Sequence, residues 1–164
     1  MYSIRHSEKQ DIEQIRQLYA EPSNYSATLQ GPFPSIELWE SRLGQAASAG
    51  VMSLVAVQGE EILGQLGLHI EQNPRRKHAA HIGMAVKTTA RRQGVADALM
   101  QAAIEIAEQW QAISRIELSV YTDNLAALAL YEKHGFIKEG LCKNYAFRNG
   151  QFADVYIIAR CKTT

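Results

Sequence analysis

The sequence has little cysteine and no excess of charge of either sign. Its 164 residues include only two cysteines, Cys142 and Cys161, which are too far apart for a Cys-x-x-Cys motif or a zinc-ligand spacing. We therefore expect neither a structural disulfide nor a metal site. Lys plus Arg and Asp plus Glu number 17 each, so no net field attracts nucleic acid, and none is expected as a partner.

Long hydrophobic runs are also missing. No uncharged run approaches the ~20 residues of a membrane-spanning helix, and the first six residues lack the apolar core of a secretory signal. We predict a cytoplasmic protein without a membrane partner. The 46% hydrophobic and 21% charged residues are ordinary for a globular protein, and residues 1–164 are expected to form one domain.

The first third of the chain predicts one strand and two helices. Ser7 opens an S-x-x-Q pattern, which predicts a capping box between a strand at 2–6 and an amphipathic helix. Three prolines in residues 22–34 indicate an ordered loop or a broken helix, and Ser35 is typical of the cap of the next helix.

The remainder alternates between strand and helix periodicity. A long helix is predicted from Gly94 to just before Ser114, with Trp110 on its apolar side, and a short helix at 125–134. The predicted strands are 51–58, 62–70, 79–86, 116–121, 137–147 and 152–161. The order β-α-α-β-β-β-α-β-α-β-β predicts a mixed α/β fold with helices on both faces of one mixed sheet.

A tight turn joins the strand at 79–86 to the long helix. Residues 91–96, Arg-Arg-Gln-Gly-Val-Ala, match the pattern [R/Q]-x-x-G-x-[G/A]. Free N–H groups and a partial positive charge at a helix start can hold a pyrophosphate, and small residues permit close approach. In the simpler interpretation, Gly94 only eases the turn and the arginines are solvated. The spacing fits neither a Rossmann motif nor a P-loop.

A second motif follows at a fixed distance. Asn124, Ala127, Tyr131, Gly135 and Phe136 fit the pattern N-x-x-A-x-x-x-Y-x-x-x-G-F without a gap. Together the two motifs resemble the GNAT superfamily of N-acetyltransferases, and the resemblance spans nearly the whole chain. It implies the GNAT fold and acetyl-coenzyme A as the cosubstrate.

The resemblance also implies a cofactor site. The backbone of Met84 and Val86 would pair with the pantetheine arm as an added strand, and the N–H groups around Gly94 would hold the pyrophosphate. The residues that it assigns to the cofactor are Met84, Val86, Arg91, Arg92, Gln93, Gly94, Val95, Ala96, Asp97, Asn124, Ala127 and Tyr131.

Transfer from a thioester to an amine needs a neutral nitrogen, a site for the oxyanion and a proton for the thiolate. We expect direct attack in a ternary complex, with the Met84 N–H polarising the carbonyl and Tyr131 donating the proton. Glu117 is a candidate general base, although the ribosomal-protein acetyltransferases that the chain resembles place their glutamate where Ser119 stands here. His81 is a second candidate.

The acceptor must be inferred separately from the fold. Residues 22–39 and the end of the chain resemble bacterial amino-acid N-acetyltransferases, so we expect a small-molecule amine, namely a hydrophobic amino acid. Tyr25, Leu29 and Phe33 would form its pocket, with an arginine on its carboxylate. A protein N-terminus, a lysine and a polyamine stay open, although a polyamine needs clustered carboxylates, and this region shows only Glu21 and Glu37.

Two functions that are not enzymatic are less consistent with the sequence. A non-catalytic acyl-coenzyme A sensor is disfavoured by the intact Tyr131. An RNA-binding domain could use Arg75-Arg76-Lys77, but this run lacks interleaved aromatic residues. The resemblance also implies a homodimer, whose two copies would meet through the residues from Phe152 to Ile158.

Overall fold

A computed structural model describes residues 1–162 and contains one seven-stranded mixed sheet with helices on both faces. The strands are β1 (Ser3–His6), β2 (Val51–Gln58), β3 (Glu61–Ile70), β4 (Ala79–Val86), β5 (Arg115–Tyr121), β6 (Ile137–Arg148) and β7 (Gln151–Cys161). The helices are α1 (Ile12–Ala20), α2 (Pro22–Ala27), α3 (Ile36–Gly44), α4 (Val95–Trp110) and α5 (Leu125–Lys133). The predicted architecture is confirmed, with α2 as one additional short helix.

The spatial order of the strands is β1-β2-β3-β4-β5-β7-β6, and only β4 and β5 run parallel. Their register holds for just three pairs, from Ala79↔Arg115 to His81↔Glu117. Beyond these pairs β4 continues to Val86 and β5 to Tyr121 without pairing to each other. The sheet therefore opens into a wedge between the carboxyl ends of its two central strands.

The two faces of the sheet carry separate apolar clusters. Helices α4 and α5 pack on one face, where Leu66, Leu99, Met100 and Ile116 are almost fully buried. A Cβ at Gly64 would lie 3.1 Å from side-chain atoms of both Val95 and Leu99, so glycine there permits the close approach of α4. The other face is covered by α1 and α3 through residues such as Ile15, Trp39 and Val55.

Local predictions at the helix ends were partly right. The Ser35 cap is confirmed, since its side chain accepts a hydrogen bond from the Leu38 N–H. The capping box at Ser7 is wrong: Glu8 and Asp11 form the box, and Asp11 is fixed there by Arg5 at 2.7 Å. A carboxylate already paired with a guanidinium can also accept the Glu8 N–H, a contact that sequence spacing did not indicate.

The predicted apolar face of α4 was wrong at its end. Trp110 is 77% exposed, whereas the buried stripe consists of Val95, Leu99, Met100, Ala103 and Ala107. Trp110 is the last residue of the helix, and the chain then turns so that Ile113 fills the core instead.

No helix within residues 1–162 is long and apolar enough to cross a membrane.

Candidate active site

A cavity of about 830 Å³ lies where β4 and β5 separate, on the face covered by α1 and α3. We call it the central cavity. Its volume falls within the range of small-molecule sites. The polar and aromatic residues that line it include Tyr19, Gln30, Trp39, Arg42, Gln65, His69, His81, Glu117, Ser119, Tyr121 and Tyr131.

A buried polar network stiffens one wall of the central cavity. The Tyr19 hydroxyl donates to Gln65 Oε1 at 2.7 Å, and Gln65 Nε2 donates to Ser53 Oγ at 3.0 Å. All three residues are buried, so each bond satisfies a group that would be costly to leave unpaired. The wall is therefore a fixed surface rather than a set of adaptable side chains.

Two histidines from neighbouring strands stack in the same cavity. His69 of β3 and His81 of β4 are register partners, and their ring centroids lie 4.5 Å apart at an interplanar angle of 6°. Burial, helped by the charges of His81 and Arg42, lowers the pKa of His69 to about 4. A Cβ at Gly67 would lie only 2.9 Å from His69 Nε2, so glycine leaves the space that this ring occupies. With a pKa of about 4, His69 is neutral near pH 7.

Tyr131 reaches the central cavity from α5. It is 9% exposed, and its ring centroid lies 5.5 Å from that of Phe136. Burial raises the pKa of Tyr131 to about 12, so its hydroxyl keeps its proton at neutral pH. Asn124 positions the helix, because its side-chain oxygen caps α5 by accepting the Ala127 N–H at 3.2 Å.

Glu117 lines the cavity as its place on β5 predicted, but its carboxylate is already bound. Arg76 and Arg115 each donate to it at 2.7 Å. Burial acts to raise its pKa, but these two hydrogen bonds outweigh it and lower the pKa below the usual range. A doubly paired carboxylate is a weak proton acceptor, so the geometry does not support Glu117 as the general base.

The turn before α4 has the geometry expected of an anion cradle. Gly94 adopts φ 79° immediately before Val95, the first helical residue. The first intrahelical bond is that from the Ala98 N–H to the Gly94 carbonyl, so the N–H groups of residues 95–97 have no acceptor in the helix. Arg92 also has a positive φ, of 61°.

Two charged side chains near this turn are hydrogen-bonded to other residues of the protein. Arg91 donates to Ser23 and Asn24 at 2.9 Å, and the Asp97 carboxylate is bound by Lys133 at 2.9 Å and by His134 at 2.8 Å. These bonds, that from Lys133 first, lower the pKa of Asp97. The carboxylate nearest the helix start is thereby bound by Lys133 at the end of α5 and by His134, the residue that follows it.

The open edge of β4 is partly occupied by a side chain that the sequence did not indicate. The Lys87 N–H bonds to the Leu63 carbonyl, a pairing that directs the peptide groups of Val86 away from β3 and toward the wedge. Buried Asn24 donates to the Val86 carbonyl at 3.0 Å. Of the two residues predicted to pair with pantetheine, Val86 thus already has its carbonyl bound, while Met84 lies beyond the last β4–β5 pair.

The three residues predicted to form the acceptor pocket do not all line the central cavity. Leu29 lines the central cavity, but Tyr25 and Phe33 do not, and Phe33 is 97% exposed at a positive φ of 54°. A turn in residues 28–35 directs Phe33 outward. The aromatic walls are instead formed by Tyr19, Trp39 and Tyr121, which come from three separate elements.

A seven-stranded mixed sheet that opens between its parallel strands, with a helix start and a protonated tyrosine at the opening, defines an acyl-coenzyme A-dependent transferase. Residues 12–136 match the family model described as Acetyltransferase (GNAT) family. The chain belongs to the GNAT family and is an N-acetyltransferase. The family uses acetyl-coenzyme A.

Relatives and solved structures agree with this assignment. The chain is 44% identical over 97% of both chains to the L-amino acid N-acetyltransferase AaaT of Escherichia coli K12. It is 28% identical to a GNAT-family acetyltransferase of Streptococcus pneumoniae, with a TM-score of 0.86 and 98% and 99% of the two chains covered. A Vibrio cholerae spermidine N-acetyltransferase in complex with CoA and spermine shares the fold at 23% identity, a TM-score of 0.86 and coverage of 98% and 95%.

Proposed function

We propose that this enzyme acetylates the α-amine of free hydrophobic amino acids. The observation that carries the proposal is the chemistry of the central cavity. Its walls are aromatic, and among its described lining residues Glu117 is the only acid and is held by two arginines. The 44% identity to an L-amino acid N-acetyltransferase supports the same acceptor class.

The same observation disfavours a polyamine acceptor. A polycation needs carboxylates that are free to pair with it, and the pairing of Glu117 with Arg76 and Arg115 leaves that side chain engaged. Arg42, a cation, lines the cavity as well and would repel a second positive charge. A carboxylate-bearing amine suits this field better.

The residues present fit acetyl-coenzyme A, which supplies the thioester that the amine attacks. The free N–H groups of residues 95–97 would hold its pyrophosphate, and the unpaired edge of β4 at Met84 would hold its pantetheine arm. Neither Cys142 nor Cys161 lines the central cavity, which supports direct attack by the amine instead of transfer through a cysteine.

Three groups would then handle charge and protons. The Met84 N–H would stabilise the oxyanion, and Tyr131, protonated because burial raises its pKa to about 12, would protonate the departing sulfur. We assign removal of the amine proton to His81. His81 is an exposed residue that lines the cavity, whereas Glu117 is engaged by two arginines, and the pKa of His69 is lowered to about 4.

A thiol-release assay with acetyl-coenzyme A tests the acceptor class. The panel should contain phenylalanine, methionine, lysine, spermidine and a short peptide. We expect kcat/KM for phenylalanine or methionine to exceed that for spermidine and for the peptide. A ratio below one for either pair would replace the proposed acceptor with that alternative.

The predicted homodimer stays a prediction, and the sheet topology changes where it should be sought. β7 lies between β5 and β6, and from Val155 to Ile158 it is paired with β5 on one edge and β6 on the other, so this part of the predicted segment has no free edge for a partner strand. β6 is the outer strand of the sheet. Sedimentation of the wild type against a variant with a charge on the exposed Ile137 of β6 tests whether two copies meet at this edge.

A further inference from the structure

Trp39 carries a buried hydrogen-bond donor without an acceptor. The residue is 5% exposed, and Nε1 is the one buried side-chain nitrogen or oxygen among the described residues that has no hydrogen-bond partner. Trp39 lines the central cavity. An unpaired N–H in a buried site is costly, so its presence beside a cavity points to a ligand that accepts this bond.

The indole is held in one orientation. Its ring stacks on Tyr19, with centroids 4.6 Å apart and an interplanar angle of 23°, and Tyr19 is fixed in turn by its 2.7 Å bond to Gln65. The donor is therefore preorganised, which reduces the entropic cost of binding through it.

A cation lies over the same indole. The Arg42 guanidinium carbon is 5.1 Å from the Trp39 ring centroid, and one Arg42 nitrogen donates to Gln30 Oε1 at 2.6 Å. Within residues 1–162 Arg42 forms no salt bridge, and it is the only arginine or lysine that lines the cavity. The cavity thus places an unneutralised fork of donors over the indole ring that carries the unpaired N–H.

We propose that Arg42 and Trp39 Nε1 bind the α-carboxylate of the acceptor amino acid. A carboxylate only accepts hydrogen bonds, and its two oxygens match a guanidinium and a neighbouring N–H. This inference rests on the proposed function and specifies how the enzyme recognises its substrate. It identifies Trp39 and Arg42 as specificity-determining residues.

The position of this anchor agrees with the chemistry at the wedge. The Arg42 charge influences the pKa of both Tyr19 and His69, while Tyr131 also acts on Tyr19 and His81 on His69. Arg42, His69, His81 and Tyr131 all line the central cavity, and the His69 ring stacks on that of His81. The proposed anchor and the proposed base therefore face the same space.

Binding can be measured without turnover, because the chain has only two tryptophans and Trp110 is exposed. Trp110→Phe leaves Trp39 as the sole tryptophan reporter. In this background we titrate 3-phenylpropionate, which has the carboxylate but no amine, and 3-phenylpropanamide as its neutral match. We expect the acid to bind about 10- to 100-fold more tightly than the amide, the usual range for a hydrogen bond to a charged group.

Arg42→Gln in the same background should reduce the affinity for the acid by about 10-fold or more and leave that for the amide within about threefold. Arg75→Gln, which removes an exposed arginine outside the cavity, is the matched control and should change neither. Trp39→Phe should reduce the affinity for the acid less than Arg42→Gln does. Because Trp39 belongs to a core and Arg42 is exposed, Arg42→Gln is the principal test.

Kinetics give the second readout. Arg42→Gln should raise KM for phenylalanine by about 10- to 100-fold with little change in kcat, and should change kcat/KM for phenethylamine by less than about threefold. Equal binding of acid and amide by the tryptophan reporter, or an equal loss for phenylalanine and phenethylamine, would overturn the anchor. An enzyme that binds 3-phenylpropionate through Arg42 but acetylates no free amino acid would overturn the proposed function and leave the anion site in place.

Discussion

The Gly94 turn and the central cavity are the two regions that we propose as binding sites, and they are built differently. At the Gly94 turn the groups available to a ligand are backbone N–H groups at the start of α4, and the nearby side chains Arg91 and Asp97 are bonded elsewhere. In the central cavity the available groups are side chains from elements that include α1, α3, β3, β4 and α5. A backbone site depends on conformation, whereas a side-chain site depends on which residues tertiary packing brings together.

Helix α2 connects the two regions. Glu21, directly before α2, accepts hydrogen bonds from the Thr88 N–H at 2.9 Å and from its hydroxyl at 2.6 Å. The side chain of Asn24 in α2 accepts a hydrogen bond from Arg91 and donates one to the Val86 carbonyl. Glu21 and Asn24 therefore hold Thr88 and Arg91, which come shortly before the Gly94 turn.

The largest expected effect comes from breaking the backbone site. Gly94→Glu should abolish the rise in Tm that acetyl-coenzyme A produces in the wild type, because a side chain at φ 79° is strained and a carboxylate would repel the pyrophosphate. Differential scanning fluorimetry measures this. Gly59→Glu is the matched control, since Gly59 has φ 63° in a hairpin turn with nothing within 4 Å of an added Cβ. A normal shift in Gly94→Glu would show that the turn is not the cradle.

Tyr131→Phe should separate the two regions by function. We expect cofactor binding to persist while kcat and kcat/KM fall together by ~10²- to 10⁴-fold, because the phenolic proton is required only as the thiolate leaves. Steady-state kinetics and a thermal-shift titration provide the two readouts. Turnover within about threefold of the wild type would assign the proton to another source, and loss of binding would assign Tyr131 a structural part in the cofactor site.

A smaller effect distinguishes the two candidate bases. His81→Gln should lower kcat/KM for an amino acid by ~10²-fold at pH 7, and the loss should shrink as pH rises, because more of the amine is then neutral without a base. Glu117→Gln should cost less than about tenfold at either pH, because its carboxylate is engaged by arginines. pH–rate profiles of both variants check this. A larger and pH-dependent loss in Glu117→Gln would restore Glu117 as the base.

The smallest expected effect is on stability. The pKa of His69 is about 4 in the folded protein, against 6.5 for an unperturbed histidine such as that of the unfolded chain. Between these two pH values the unfolded chain therefore binds one more proton than the folded protein does. The free energy of unfolding consequently falls as the pH falls from 6.5 to 4. His69→Gln should remove about 1–3 kcal/mol of this acid-induced loss in the free energy of unfolding. Urea denaturation at pH 7.5 and pH 4.5 measures it, with exposed His78→Gln as the control. Equal pH dependence in wild type and His69→Gln would show that His69 is not responsible.

Local sequence signals predicted the secondary-structure elements and their turns well. The Asn149-Gly150 hairpin has the positive φ angles that its turn requires, 50° and 76°, and Gly94 opens α4 as the motif indicated. Predictions that depended on solvent exposure or on pairing did less well. Phe33 and Trp110 are apolar but exposed, and Glu117 is paired with Arg76, 41 residues away in the chain.

The sequence by itself determined the family, the order of the elements and the turn that would hold the pyrophosphate. These features depend on backbone conformation, which short-range patterns of glycine, small residues and apolar periodicity specify. Only the tertiary structure decided which side chains line the central cavity. Trp39, Arg42, His69 and His81 come from α3, β3 and β4, and their meeting depends on strand register and on the separation of β4 from β5, neither of which any local pattern encodes.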